Sequence, residues 1–461
     1  MTPSAPTPTP TLGYLGILQF RPAPHWVPES VRPEIELIAT LPADEDTFRP
    51  SIVVTVNPFE GSVREFSVKA LTGLTSTLRD CRIVDVGGWE RRPEDRPQDH
   101  LGIETDTSLQ SRRIEYLHRA DNGRLVSGVD HLVLMDGWAV QISTTCAVQD
   151  RLFLTADLET MARSVEPAPA GMAPPSAPVT AEPGYDATAS AAFDLPVEDL
   201  TPWQRPDGMD RGGDWLTPAA VERLQELGAA GHGRLGRLER DRSVAELEAA
   251  GLVEDGRLTE VGDLLSATLL ESAFRLRLTG SAGSGDHLVQ VFGLSDVALM
   301  VSQPGFGERV LGGPWEAPGP EHLHVGMVPL SELSARLLVW AGPSPAWNLL
   351  PTPALIEPGA YDGRLAGPTS PPAGADPALT ALWDQPWWVW RIEADADGAD
   401  GFPETTVLTT PQRGTYRVGL VPDPVTGQDR VLLWPVESSF LLALVEDLIQ
   451  AAHFGRAPQL S

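Results

Sequence analysis

The side chains able to do chemistry are few and widely spaced along the chain. His322 and His324 alternate with Leu323, so an extended strand would place both imidazoles on one side, a spacing suited to two ligands of one metal ion. A selective site needs further ligands, and the other histidines are scattered, so surface or half-buried histidines are expected and no metal is. Asp395-Ala-Asp-Gly-Ala-Asp400 offers several hard oxygens over a short span. A calcium loop needs oxygens at its first, third and fifth positions and a bidentate Glu at its twelfth. Asp400 and Glu404 fall out of that register, which leaves an acidic connection between strands. Gly231-His-Gly-Arg-Leu-Gly236 matches G-x-G-x-x-G, but it follows a helical pattern and not a strand, so it would not present backbone N–H groups to a pyrophosphate. The chain contains no G-x-S-x-G, Walker A or H-E-x-x-H string. With 63 Asp+Glu residues, acid pairs such as Glu94-Asp95 and the run Asp44 to Asp46 say nothing about acid/base catalysis and read as solvated loops. No catalytic residue and no cofactor is implied.

The aromatic residues carry more information. Trp383, Trp387, Trp388 and Trp390 crowd into one short stretch, where period-two alternation puts Trp388 and Trp390 on one strand face and Trp387 on the other. Both faces of that strand must be covered, by helices or by a partner. Core packing is the plain reading, and a partner groove is the functional one. In the first third of the chain Phe20, Trp26 and Phe59, with Phe48, could line a similar apolar surface. These seven residues, Trp383, Trp387, Trp388, Trp390, Phe20, Trp26 and Phe59, are the partner-binding candidates.

An α+β pattern must position them. Over residues 12–165, Ser51 to Val56 reads as a strand. Ser62 to Leu78 reads as a helix, with apolar residues spaced by three and four from Val63 to Leu78. Strands follow at Arg82 to Val86, Leu101 to Thr105, Arg112 to His118, Leu125 to Met135 and Trp138 to Thr145. Asp121-Asn122-Gly123 and Asp136-Gly137 are turns that make the last three an antiparallel meander. Asp150 to Val165 closes the domain as a helix, and one sheet with helices on one face accounts for the pattern. Residues 166–214 are rich in Pro and Ala and read as a linker. From 215 to 461, a helix after Thr217-Pro218 and two more in Ser243 to Leu270 precede a duplication. Strands near 274–279, 287–292, 297–301 and 324–328 lead through Val328-Pro329 to a helix. Strands near 387–392, 405–409, 415–421 and 430–434 lead through Trp434-Pro435 to another. Two such units can pair about a pseudo-two-fold axis into one large sheet.

Composition narrows the partners. The chain has 461 residues and 34 Lys+Arg, giving a net charge of −29, so phosphate-rich nucleic acid and anionic lipid are repelled. The helices in Ser243 to Leu270 look like a winged-helix fragment, but their second helix lacks the basic residues that would read DNA. No apolar run is long enough to cross a bilayer, and the opening Pro/Thr tract lacks the form of a signal peptide, so a cytoplasmic protein is expected. Cys81 and Cys146 are too few for a disulfide scaffold or a cysteine zinc site, and both read as small buried residues.

Ser51-Ile-Val-Val-Thr-Val-Asn-Pro, Ser62-Val-Arg-Glu-Phe, Arg124-Leu-Val-Ser-Gly-Val-Asp-His-Leu-Val-Leu and Asp136-Gly-Trp-Ala-Val-Gln-Ile-Ser resemble the mycobacterial lipoprotein LpqN family, within the PsbP/Mog1 fold group. The lipobox cysteine and signal of that family are not found here, so the scaffold is implied and the periplasm is not. From about Trp215 onward, the duplication, Gly414-Thr-Tyr-Arg-Val and Val431-Leu-Leu-Trp-Pro-Val resemble the EspG family of type VII secretion chaperones. Together the resemblances imply a non-enzymatic cytoplasmic adaptor that shelters a secreted effector or a WXG-type helical protein. An immunity protein that blocks a toxin domain, and an enzyme with a cleft between domains, are the alternatives.

Overall fold

The computed structural model describes residues 11–13, 18–29, 35–44, 47–89, 111–135, 138–167, 199–204, 212–230, 241–283, 285–348, 350, 353–396, 405–423 and 426–455. The expected strand at 101–105, the turn at 136–137, the acid pair at 94–95, the glycine string at 231–236, most of the 166–214 segment and the end of the acidic stretch after Ala396 lie outside them. The chain divides into two compact units, Met1–Gln204 with Ser344–Pro351, and Arg205–Pro343 with Thr352–Ser461.

In the first unit, β1 (Thr11–Leu12), β2 (Leu18–Phe20) and β10 (Glu166–Pro167) form a small sheet. The main sheet comprises β3 (Val27–Pro28), β4 (Leu37–Thr40), β5 (Ser51–Pro58), β6 (Arg79–Gly88), β7 (Ser111–Arg119), β8 (Leu125–Met135) and β9 (Trp138–Ala147). All neighbours are antiparallel, in the order β3-β4-β5-β9-β8-β7-β6. Helix α1 (Val63–Thr77) starts at a capping box: the Ser62 hydroxyl accepts from the Glu65 N–H at 3.2 Å, and the Glu65 carboxylate accepts from the Ser62 N–H at 2.9 Å. α1 lies against β6, β7 and β8 through Val63, Phe66, Leu71 and Leu74. Leu158, Met161 and Ala162 of α2 (Arg151–Arg163) join Ile52, Val54, Val140 and Ile142 in a separate core. β8 is buried on both sides, with Val126, Asp130 and Leu132 on one and Ser127, His131 and Val133 on the other. The α+β class and the antiparallel sheet with its packed helices are as expected, and the middle strand β8 is buried on both faces.

The second unit is built on one ten-stranded antiparallel sheet, in the order β11-β17-β16-β15-β14-β19-β20-β21-β22-β18. Its strands are β11 (Asp214–Leu216), β14 (Phe274–Ala282), β15 (Gly285–Leu294), β16 (Val297–Ser302), β17 (Leu323–Pro329), β18 (Ala354–Ile356), β19 (Trp388–Ala396), β20 (Thr405–Thr410), β21 (Gly414–Pro422) and β22 (Asp429–Val436). That order is the expected pseudo-two-fold. β14 to β17 are repeated by β19 to β22, β14 pairs with β19 at the centre, and β11 and β18 each precede their own half and close its far edge. The first half inserts α3 (Pro218–Ala229), α4 (Arg242–Ala249), the hairpin β12 (Val253–Glu254) with β13 (Arg257–Leu258), and α5 (Glu260–Leu270). These bury Leu299, Val301 and Val325 under Leu224, Leu227, Leu265 and Leu269 on one sheet face. The connection from β16 to β17 carries the single-turn α6 (Phe306–Arg309), and α7 (Leu333–Ala341) follows β17. The second half inserts α8 (Pro358–Ala366) and α9 (Pro377–Trp383) and ends in α10 (Ser438–Phe454), which lies against α7, β14 and β19.

Candidate protein-binding face

The sequence candidates face inward. Trp388 and Trp390 are fully buried, and Trp383 and Trp387 nearly so. The Trp390 indole donates to Thr409 Oγ1 at 3.0 Å and that of Trp387 to the Leu382 carbonyl at 3.1 Å. Trp388 packs edge-on to Trp340, with centroids 5.4 Å apart, and lies so close to Gly280 that a Cβ there would come within 2.2 Å of its ring. Trp383 meets Trp387 at 5.0 Å, and the Arg364 guanidinium covers Trp387 at 5.1 Å. Phe20 and Trp26 sit in the core under α2, and Phe59 is half-buried against Phe66 at 5.5 Å. In this conformation Trp383, Trp387, Trp388, Trp390, Phe20 and Trp26 offer a partner almost no surface. Cys81 and Cys146 are both buried, and neither is in a disulfide.

The densest charge cluster, missed from sequence, lies in the first unit. Glu115 is enclosed between Arg151, which bonds it through Nε at 3.0 Å, and Arg113. Burial alone would raise the Glu115 pKa, but the two guanidinium groups outweigh it and hold the carboxyl below its ordinary range. Across the same face His131 Nε2 stands 3.4 Å from Glu159, which also accepts from Trp89 Nε1 at 2.9 Å and Arg163 Nε at 2.7 Å. Burial pushes the His131 pKa down to about 4, so the ring is neutral at pH 7. On the other face Asp130, raised to about 6 by burial, accepts from Gln141 at 2.7 Å and from the Tyr116 hydroxyl at 3.3 Å. The cavity beside Arg113, His131, Cys146 and Glu159 measures about 30 Å³, room for a water or two and for no organic substrate. His131 pairs with Ile142 and Ser127 with Cys146, so the two backbones are offset by four positions along the strands, roughly 13 Å.

The two histidines of the 322–324 stretch have different surroundings. His322 lies near Glu321 at 3.6 Å and Glu246 at 3.9 Å, whereas His324 meets the Trp215 ring at 5.1 Å. Among the described residues no group of three or more His, Cys, Asp or Glu side chains could hold a metal ion. A cleft of about 60 Å³ beside His324 is lined by Met300, Gly326, Trp315, Arg336 and Trp340. A depression of about 320 Å³ over β14, β15 and β19 is walled by Arg275, Arg277, Gln290, Phe292 and Glu393.

A cluster of apolar side chains open to solvent lies at the other end of the large sheet. Leu355 on β18 pairs with Leu432 on β22, which pairs with Gly419 on β21, so the three form one cross-strand row. Trp434 and Arg417 make the next row on the same face. Trp434 is 54% and Leu355 45% exposed, Gly419 and Arg417 are exposed, and Leu432 is half-buried. On the opposite side Val431 and Leu433 are buried, which is why this strand tolerates a continuous apolar run. An exposed indole beside two leucines and an arginine has the composition of an interaction face. The Val431-to-Val436 stretch could have shown it only through strand register, because its apolar residues do not alternate with polar ones.

No family model matches the chain, and no curated protein does. Among solved structures it is similar to the cyanobacterial PsbP (CyanoP) of Synechocystis, at 11% identity, TM-score 0.25, over 36% of this chain and 96% of that one. It is similar to LpqN of Mycobacterium tuberculosis, described as involved in cell envelope biogenesis, at 12% identity, TM-score 0.24, over 35% and 90%. A protein from Bacteroides thetaiotaomicron is similar at 7% identity, TM-score 0.22, over 65% and 87%. The architecture given above rests on the strands and helices themselves. Among the described residues, no helix is long and apolar enough to cross a membrane.

Proposed function

We propose that the chain is a non-catalytic cytoplasmic adaptor that holds a helical protein client, of the type VII secretion class, on the face formed by Leu355, Leu432, Gly419, Trp434 and Arg417. In this reading the first unit is an LpqN-like scaffold of the PsbP/Mog1 kind, and the second an EspG-like chaperone unit whose pseudo-two-fold sheet supplies the docking surface. The observation that carries it is the exposed cross-strand cluster around Trp434. Exposed indole and leucine side chains in one patch lose water on docking, and an amphipathic helix laid across the strands covers them with its apolar stripe. The Glu115 and Glu159 networks of the first unit favour a structural role for those residues over catalysis, since both carboxylates are already engaged by guanidinium groups.

A photo-crosslinking amino acid at position 432, introduced into the protein in its native host, tests this. A near-stoichiometric adduct with a secreted helical protein is expected, and it should vanish when Leu355→Asp is added. Absence of any adduct, or one that survives Leu355→Asp, would overturn the reading. An adduct with the catalytic domain of a toxin would replace it with the immunity alternative.

A further inference from the structure

The duplicated halves of the large sheet can be superposed residue by residue on their Val328-Pro329 and Trp434-Pro435 steps. Strand pairing then makes Met300 and Gly326 equivalent to Gly419 and Leu432, Ala298 and Val328 to Arg417 and Trp434, and Ser302 and His324 to Val421 and Arg430. Each half therefore carries a glycine opposite a large apolar residue at the same place, with the two exchanged between strands. Either arrangement leaves a trough beside the larger side chain.

What differs is the covering. In the first half Ala298, Met300, Ser302, His324, Gly326 and Val328 are all buried. The connection at residues 303–322 and α7 both cover them: Trp315 lines the cleft over Met300 and Gly326 from the connection, and Arg336, Val339 and Trp340 line it from α7. The Trp315 indole is held edge-on to Trp215 at 4.6 Å. In the second half the corresponding connection is six residues long, 423–428, against twenty in the first, and is too short to reach back over the strands. Among its described residues the Asp423 carbonyl accepts from the Gly427 N–H at 2.8 Å. The equivalent residues Arg417, Gly419 and Trp434 are left exposed, and a Cβ on Gly419 would find nothing within 4 Å.

We infer that the trough over Gly419 is a recognition pocket for an aromatic side chain of the client, which supplies in trans the indole-like wall that Trp315 supplies within the chain over Met300 and Gly326 in the first half. This rests on the adaptor reading and adds to it the side-chain class that is read. Gly419 forms the floor, Leu432 and Trp434 the apolar wall, and the Arg417 guanidinium is placed to cover the face of the incoming ring or to meet an adjacent carboxylate. On a chain of net charge −29, an exposed arginine at this point also selects for an acidic residue beside the aromatic one.

N-acetyl-L-tryptophanamide, titrated into the isotope-labelled full chain, is the probe. A single indole in an open trough binds weakly, roughly in the millimolar range. Saturable amide shifts at Gly419, Leu432 and Trp434 are expected. Gly419→Val, whose added methyls occupy the open space and suit a strand, should weaken them at least tenfold while the shifts of β14 and β19 stay in place. Glycinamide in place of the indole compound should leave all three amides unmoved. No saturable shift at Gly419, or equal binding by Gly419→Val, overturns the inference. So does sedimentation showing a dimer that Trp434→Asp dissociates, which would give the face to a second copy. Because the crosslinking readout at Leu432 is independent of this titration, a client adduct without tryptophanamide binding would sink the aromatic pocket and leave the adaptor standing.

Discussion

The middle strands of the first unit carry Glu115, Asp130 and His131 into its interior, whereas β19 of the second carries Trp388 and Trp390. β8 is buried on two sides, whereas β14 and β19 bury one face and leave the other partly open, and the two sheets fill their interiors with different chemistry. Charges inside the first sheet require partners in fixed directions, which Arg113, Arg151, Glu159 and Gln141 provide. Indoles inside the second need volume and only one acceptor each, so glycine on the neighbouring strand makes the space, as Gly280 does for Trp388. The first solution fixes direction and the second fixes shape, and substitutions can separate them.

The sharpest separation comes from rescue. Arg151→Leu strands the Glu115 carboxylate without one of its two cations and should cost about 3–5 kcal/mol, most of which returns when Glu115→Met is added, because a packed apolar pair can replace a buried ion pair. Trp388→Ala should cost a similar 3–5 kcal/mol through the cavity it leaves, and adding Glu115→Met should return none of it. Gly280→Leu, ruinous beside the native indole, should recover part of the Trp388→Ala loss by growing into the vacated volume. Hydrogen exchange of the full-length variants, read separately at β7/β8 and β14/β19, measures each loss where it occurs. A Glu115→Met rescue of the second sheet, or none of the first, would erase the distinction.

The next effect is in pH and is read at β8 of the charged sheet. His131 has its pKa depressed to about 4 in the fold, so its contribution to stability is complete above its unfolded value, about 6.5, and is lost as pH falls through 4. Asp130 has its pKa raised to about 6, so its contribution is complete below its unfolded value, about 3.9, and is lost as pH rises through 6. Each shift corresponds to on the order of 3 kcal/mol, and between pH 4 and 6 the two slopes oppose one another. The native chain should therefore show a flat stability profile for this pair. Relative to it, His131→Gln should become steadily more stable on acidification from pH 7 to 4, and the advantage of Asp130→Asn at pH 7 should shrink over the same range. Exchange protection at β8 measured at four pH values reads both trends. Parallel profiles for the two variants would count against this opposition.

Much of the second unit was legible in the sequence because its strands alternate cleanly, as Phe274 to Leu278 do, and because two Pro-terminated strands announced the duplication. The meander of the first unit was legible for a similar reason: Gly123 takes the positive φ of 81° that the Asp-Asn-Gly turn between β7 and β8 requires. The short strands β3 and β4 were not, since four residues or fewer show no period and are set by the neighbours they pair with. Buried charge was illegible because Arg113 and Glu115 alternate with apolar residues just as a solvated strand face would. The exposure of Trp434 was hidden for the opposite reason: Val431 to Trp434 is apolar throughout, and only the lengths of the two inter-strand connections, compared in register, show which side is left open.

The smallest expected effect closes the comparison from within a single unit. Trp434 and Trp388 belong to the same sheet, but one is 54% exposed and the other fully buried. Trp434→Gln removes a ring that touches mostly water, so stability should change by no more than about 0.5 kcal/mol in either direction. That is several times less than the expected loss for Trp388→Ala. Replacing an apolar group by a polar one at an exposed position of β22 also leaves the backbone pairing with β21 and β18 intact, so exchange protection at Val431 and Leu433 should not move. A loss near that of Trp388→Ala would mean that the indole at 434 is held by the protein itself, and the open face would then be part of the core.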